Sequence, residues 1–421
     1  MTRTSALRNL GQPFYLLFVA GVLSDICGFS TMTALQVHVL RNTGGNAAYM
    51  GWIAVATLLP MIVAAPIGGV WAERHNRRNV LLLCNVVRIP LLLAMCFLQS
   101  VWWLLGLHAA TCAVTALFMP SRQSLIPELV PGQHLHLANS LNSGVASLVH
   151  MMGPSLGVFL FHVLGGLWGV ASIEALALAV SALLLLGLPK PSPSGKHPQT
   201  DTQTLAPAVP TLDAATDLLS SVRAGFRYVH GEPDLRQILT MLVSAGAAIG
   251  LLVPLLMPFV QQVLRGDERM YASLVFWFGV GGMVGPFVGH ALGKTFGLGK
   301  MLLLCSLAEA LLLTLWSRIG QPVSSRALLV VWGIEVMALI PCYTSYLHLY
   351  ARKEFMGRTF ALFDQATYVP QILSAGVVVL LGASLPAQTI LTAAGICYTA
   401  ILLCTLRTRG ARLLWNRREP V

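Results

Sequence analysis

Residues 14–40 read FYLLFVAGVLSDICGFSTMTALQVHVL, with Asp25 the one acid or Lys/Arg in the stretch. Crossing the hydrocarbon core of a bilayer takes about 20 mostly apolar residues in helical form. Backbone N–H and C=O groups in that medium must be paired within the segment, so the stretch reads as a spanning helix and not as an isolated strand. Arg3 and Arg8 precede it, but the apolar run is too long for the core of a secretory leader and has no A-x-A-like cleavage site. It reads as a retained first span.

Similar apolar runs follow at Ala47 to Trp71, Asn79 to Gln99, Val101 to Met119, Leu137 to Leu164 and Leu167 to Leu188. After a polar stretch, six more lie at Leu235 to Val263, Ala272 to Leu292, Met301 to Trp316, Ala327 to Leu349, Thr359 to Leu381 and Pro386 to Leu406. The expected fold is therefore an all-α membrane protein, with twelve transmembrane helices in two six-helix pseudo-repeats. Composition agrees: 56% of the 421 residues are hydrophobic and 10% charged, where a soluble domain carries about a quarter charged residues. Mean hydropathy is +0.72. Little chain remains for a soluble catalytic domain.

The expected organisation is an N-terminal half over 1–188, a flexible linker over 189–211, an amphipathic helix over 212–234, a C-terminal half over 235–406 and a basic tail over 407–421. The linker holds Pro189, Pro191, Pro193, Pro198, Pro207 and Pro210 among Ser, Thr, Gln and Gly, a composition unable to bury a core. Leu212, Ala215, Leu219, Val222, Phe226 and Val229 then recur at helical spacing, which suits a helix on the membrane surface or one packed on the protein's soluble side. The halves also align weakly. Setting Pro66 on Pro286 brings Gly69 to Gly289, Arg74 to Lys294 and Leu82 to Leu302, while Glu128 and Glu354 each follow a corresponding span. Parallel repeats of this kind build two-domain alternating-access transporters.

The net charge of +11 invites a nucleic-acid reading. The basic residues, however, lie between apolar runs with no domain to present them, so no nucleic-acid partner is expected. With the N-terminus inside, the inner segments hold 21 Lys and Arg and the outer loops five, which places both termini in the cytoplasm. The eight cysteines sit in apolar runs without a C-x-x-C pair and read as small buried hydrophobes.

The loop after span two reads Gly68-Gly69-Val70-Trp71-Ala72-Glu73-Arg74-His75-Asn76-Arg77-Arg78. It resembles motif A of the major facilitator superfamily, G-x-L-A-D-R-x-G-R-[RK], with Glu73 in place of Asp and Asn76 in place of the second Gly. Pro120-Ser121-Arg122-Gln123-Ser124-Leu125-Ile126-Pro127-Glu128-Leu129-Val130-Pro131, followed by Ala138-Asn139-Ser140-Leu141-Asn142, is similar to the branch of macrolide-type drug exporters and siderophore exporters. So is Pro233-Asp234-Leu235-Arg236 at the entry to span seven. In span five, Gly153-Pro154-Ser155-Leu156-Gly157 resembles part of the Gly-Pro motif of exporting members, where proline frees a carbonyl and lets the helix bend.

Ionisable groups inside spans are costly and therefore suggest function. Asp25, Arg88, Glu174, Glu309, Glu335 and Asp364 are the candidates. The resemblance implies that spans one, four, seven and ten line a central cavity, which favours Asp25 and Glu335 as proton-coupling or substrate carboxylates. Independently, Asp25 lies on a stripe of Gly21, Ser24, Gly28, Thr31 and Leu35 that faces protein or cavity. Its structural alternative is a buried pair with Arg88; for Glu335 it is packing near the outer end of span ten. Peripheral Glu174 and Glu309 suit stabilising pairs or interfacial exposure. The resemblance makes Gly69, Glu73, Arg74, Arg77 and Arg78, with Asp364 at the start of span eleven, a conformational gate on the inner face. His108, Tyr343 and Tyr346 are candidates to line a drug-sized pocket.

With no Walker loop, metal-ligand cluster or convincing nucleophile pair, the chain is expected to be neither enzyme nor ATP-driven pump, and to need no cofactor. The resemblance implies a monomeric inner-membrane exporter of an amphipathic small molecule in exchange for protons. The alternatives are a siderophore or lysophospholipid transporter of the same fold, and a non-transporting membrane sensor or scaffold. The basic asymmetry is directly testable. A reporter active only in the periplasm stays silent when fused after Pro191, and activity there reverses the topology.

Overall fold

A computed structural model describes residues 10–98, 100–131, 134–189, 223–352 and 355–417, leaving aside the side chains of 65–74, 136, 140, 143, 147, 150, 357, 358, 361 and 364. The protein is all-helical over these residues. Twelve long helices follow one another as α1 Gln12–Asn42, α2 Ala48–Arg74, α3 Arg77–Met95, α4 Val101–Leu129, α5 Leu135–Val163, α6 Leu167–Leu186, α7 Pro233–Gln262, α8 Glu268–Phe296, α9 Leu298–Trp316, α10 Pro322–Tyr350, α11 Met356–Leu381 and α12 Ala387–Leu406, and a short α13 spans Arg409–Asn416. Nine of the twelve are long and apolar enough to cross a membrane, and α5 qualifies as a pair of segments bent by 42° between Ala146 and Met151. In α2 and α11 the apolar parts are shorter, Ala48–Ala64 and Gln365–Leu381. Pro154 lies one turn beyond the bend in α5, where its missing N–H leaves the carbonyl four residues back unpaired.

The helix ends follow local chemistry. Asn76 caps α3 by accepting from the Arg78 amide at 3.1 Å, and Asp267 caps α8 by accepting from the Met270 amide at 3.1 Å. Such side-chain acceptors satisfy amides that have no partner in the first turn. Pro233 and Pro322 open α7 and α10, where an absent N–H costs nothing. The spans reach further than hydropathy suggested. Span four, expected to stop at Met119, continues as α4 through Pro120 and Pro127 to Leu129, which brings Arg122 into the helix.

The chain forms two compact units, Met1–Val39 with Ala56–Ala214, and Leu40–Val55 with Ala215–Val421. In the first unit, Leu10, Phe14, Leu17 and Ala20 meet Val80, Leu81 and Cys84 of α3 and Phe118, Leu125 and Ile126 of α4 in one apolar cluster. Deeper in the unit, Arg88 of α3 and Glu174 of α6 pair at 2.8 Å, almost fully buried. Arg88 also donates to Ser24 of α1 at 2.8 Å, and Asn85 donates to Ser181 of α6 at 2.9 Å.

In the second unit α8 packs along α10 through small residues. A Cβ on Gly285 would lie 2.6 Å from the Ile334 carbonyl, and one on Gly289 2.7 Å from that of Ala338, so these glycines let the two helices approach closely. At one end Phe259 and Trp316 pack at a tilt with centroids 4.3 Å apart, and the Trp316 indole donates to Ser325 at 2.8 Å. The hairpin between α1 and α2 belongs to this unit: Arg41 pairs with Glu268 at 2.7 Å, and Gly51 lies against α11 where a Cβ would be 2.8 Å from the Ala375 carbonyl.

The expected linker lies almost wholly outside the described residues, as does 212–222 of the expected amphipathic helix. Residues 223–231 are helical. There Val229 is buried, Phe226 is exposed, and Tyr228 stacks on Phe355 with centroids 4.7 Å apart, so packing on the protein takes part of this helix. Within the expected basic tail, Arg409–Asn416 is helical, capped by Thr408. Of the eight cysteines five are buried, Cys96 is half-buried, and Cys397 and Cys404 are exposed on α12, which narrows the buried reading.

The Arg88–Glu174 pair generates a prediction. Arg88→Ala strands a buried carboxylate, and breaking such a pair costs about 3–5 kcal/mol. The purified variant should melt well below the parent in detergent. Replacing both partners by Met and Leu removes both charges and should recover most of the loss; equal destabilisation of single and double variants contradicts this account.

Candidate functional site

In the first unit the polar groups converge on one face of α1. Asp25 accepts from Arg122 of α4 at 2.7 Å; Arg122 is buried and the Asp25 side chain is about a quarter exposed. Gly21 makes room for this contact, since a Cβ there would meet the Arg122 guanidinium at 2.6 Å. One turn on, Ser24 accepts from Arg88, and Gly28 faces both Arg88 and Glu174, each 3.7 Å from where its Cβ would stand. The small-residue stripe thus faces protein, as its pattern indicated, and what it accommodates is two guanidinium groups. The expected structural partner of Asp25 is corrected. Arg88 is taken by Glu174, and Arg122 takes Asp25. Sequence reasoning missed Arg122 because Pro120 looked like the end of a helix and put it in a connecting loop. Its signal was the run of helix-compatible residues on both sides of that proline.

The other candidates of the first unit are held more locally. His108 is buried, its Nε2 2.9 Å from the Thr57 hydroxyl, a packing environment. Gly153 and Gly157 of α5 sit against α1: a Cβ on Gly153 would be 2.6 Å from that of Phe29, one on Gly157 would collide with the Ser30 carbonyl, and Ser30 donates to the Gly153 carbonyl at 3.1 Å. Pro154 lies between them, so the kink motif is also a close-packing motif between α1 and α5. Of the motif A residues, Arg77 donates to the Ser124 carbonyl at 2.9 Å and pairs with Glu128. Arg78 donates to the Leu185 and Leu186 carbonyls at 3.0 and 2.5 Å, an arrangement that satisfies the last carbonyls of α6. The partners named here for Arg77 and Arg78 lie in the first unit. Gly69, Glu73, Arg74 and Asp364 lie on helical backbone, with side chains outside the described residues.

In the second unit Glu309 of α9 is buried and accepts from the Tyr398 hydroxyl of α12 at 2.9 Å. Glu335 of α10 is buried as well, and neither of its carboxylate oxygens has a hydrogen-bond partner among the described residues. Tyr343 is half-buried on the same helix. Tyr346 is fully buried, and its hydroxyl donates to Asp234 of α7 at 2.7 Å, so it reads as part of a polar cluster and not as a free pocket wall. Asp234 and its further partner Arg417 were read only as a helix entry and a basic tail. Nothing in their local sequence announces the pairing, which joins residues 183 positions apart.

A profile of the Major Facilitator Superfamily matches residues 17–375. The multidrug resistance efflux pump PmrA of Streptococcus pneumoniae serotype 4 is 23% identical over 329 residues, 76% of each chain. The multidrug efflux pump Tap of Mycolicibacterium fortuitum is 23% identical over 294 residues, 66% of each chain. Some other curated relatives are matched over less than two thirds of their length, 29% in one and 65% in another. A bacterial homologue of the human lysosomal transporter Spinster, solved in an inward-facing and occupied conformation, superposes with a TM-score of 0.70 at 14% identity, over 97% of this chain and 98% of its own. That likeness speaks for the fold. The profile covers most of the chain, and the chain belongs to the major facilitator superfamily, a family of multi-pass membrane transporters and not of enzymes.

Proposed function

We propose that the protein is a secondary active exporter of amphipathic, drug-like small molecules, working by alternating access at the cytoplasmic membrane and exchanging substrate for protons. The observation that carries this reading is the Asp25–Arg122 pair inside two apolar helices. A charge within a span is retained at a cost and marks an ion or substrate path. The efflux pumps among the relatives support the direction of transport.

The chemistry follows from the pair. Ionised Asp25 neutralises Arg122, and a protonated Asp25 no longer does so. The ionised pair holds a polar part of the substrate, Asp25 accepting from it and Arg122 donating to it, and a proton on Asp25 weakens that hold, so proton and substrate compete for the site and cross in opposite directions. Because Asp25 is the more exposed partner, the proton reaches the pair from its side. Glu335 is the second proton or substrate carboxylate in this scheme. The motif A residues Gly69, Glu73, Arg74, Arg77 and Arg78, with Asp364, form the inner conformational gate, for which the Arg77–Glu128 pair supplies an anchor.

Efflux of a fluorescent amphiphile from everted vesicles, driven by an imposed pH gradient, tests this. Asp25→Asn keeps the size of the side chain and removes its titration, so gradient-driven transport is lost while substrate binding to the purified variant persists. Arg122→Gln loses both. Normal efflux by a well-expressed Asp25→Asn protein defeats the coupling role. Intact binding by Arg122→Gln defeats the substrate role of the guanidinium.

A further inference from the structure

We propose that the end of the second unit where α7 begins and α10 ends holds a recognition site for an organic cation, a guanidinium or alkylammonium group, and that Arg417 occupies it as a tethered ligand. Three kinds of partner converge on the Arg417 guanidinium. It donates to the buried Asp234 carboxylate and, at 2.8 Å, to the Tyr346 hydroxyl. Its central carbon stands 4.1 Å from the centre of the Tyr350 ring and 5.8 Å from that of Tyr346. An anion, a phenol oxygen and an aromatic face around one point are the elements by which proteins hold organic cations.

The receptor half of this site does not depend on the tail. Asp234 lies in the first turn of α7, where unpaired amides favour a carboxylate. Its Oδ1 accepts from the Leu235 amide at 3.0 Å and its Oδ2 from Tyr346 at 2.7 Å. Tyr346 and Tyr350 lie one turn apart on α10 with ring centroids 4.6 Å apart. The occupant, by contrast, reaches the site from the surface. Arg417 follows the last turn of α13 with extended backbone, and over a third of its side chain is exposed. It borders a cleft of about 250 Å³ that is also lined by Glu232, Pro233, Leu413 and Asn416. The rest of the tail is anchored separately. Thr408 donates to Gln237 at 2.9 Å, Gly410 abuts the Pro233 carbonyl, and Leu414 packs against Gly299. Arg417 can therefore leave without unfolding α13. At the rim Glu232 is paired with Arg352 at 3.6 Å.

The site stands on this geometry; its meaning for transport rests on the exporter reading, in which a cationic compound displaces Arg417 on its way into the protein. Titration of the full-length protein in detergent with methylguanidinium chloride, against sodium chloride at equal ionic strength, tests the site itself. Arg417→Ala melts below the parent, and methylguanidinium restores the loss saturably while the parent does not respond. Combining it with Asp234→Asn weakens binding by at least about tenfold, the factor carried by one hydrogen bond to a charged group. Arg417→Lys keeps a charge but not the planar stack, and binds the probe more readily than the parent does; it also serves if the alanine variant fails to fold. Absence of saturable binding to either single variant, or equal binding when Asp234 is replaced, overturns the proposal and leaves a structural strap. Flux measurements read the other question: no export by the parent, with saturable methylguanidinium binding by the Arg417→Ala variant, strikes the exporter reading and leaves the site standing.

Discussion

Two guanidinium groups buried among apolar helices, Arg88 and Arg122, impose the constraint on which the first unit is built. An unpaired charge in such surroundings costs several kcal/mol, so each arginine must find an anion and space for its planar head. Helix α1 supplies the space for both and one of the anions. Its glycines and Ser24 leave a shallow face on which the two heads lie, Asp25 answers one, and Glu174 from α6 answers the other. α1, α3, α4 and α6 are thereby tied through charge as well as through apolar contact. The two pairs differ in one respect that matters for chemistry. Arg88–Glu174 is sealed, whereas Asp25 is partly open.

Glu268 of the second unit is likewise paired with an arginine, Arg41, but three other acids there are handled differently. Glu309 is met by a neutral phenol, Glu335 by no donor among the described residues, and Asp234 by a tyrosine together with an arginine from the end of the chain. The fixed positive charges that hold the acids of the first unit are thus absent from the Glu309 and Glu335 contacts, and at Asp234 the cation is the partly exposed Arg417 that follows α13.

Segments outside the long apolar helices do much of the work at the helix ends. Asn76 and the arginines after it secure α3 to α4 and α6. Tyr228, ahead of α7, stacks on Phe355 and accepts from the Arg352 amide at 2.9 Å, tying the entry to α7 to the α10–α11 connection. α13 closes over the first turn of α7 and the start of α9. Some of these contacts satisfy backbone groups, Asn76 the Arg78 amide, Arg78 the Leu185 and Leu186 carbonyls and Tyr228 the Arg352 amide, and together they hold particular helix ends to one another.

The class of fold was legible in the chain because hydropathy is a local property. Each run of apolar residues announces its own helix, and the basic residues collect in the connections between runs. The stripe around Asp25 was legible for the same reason, since residues three and four apart must share a face. Partner choice was not legible. Whether Asp25 meets Arg88 or Arg122 depends on which helix packs beside α1 and how far α4 continues past Pro120, and both are settled by the fit of side chains across helices. The join between Asp234 and Arg417 is further still from any local pattern. It exists because α13 docks on α7 and α9 through Gly410 and Leu414, and only that docking brings the last described residue to a carboxylate near the middle of the chain. Local composition determined the helices; packing between distant segments decided which charges neutralise one another, because a buried charge takes its partner from whatever the fold brings within reach.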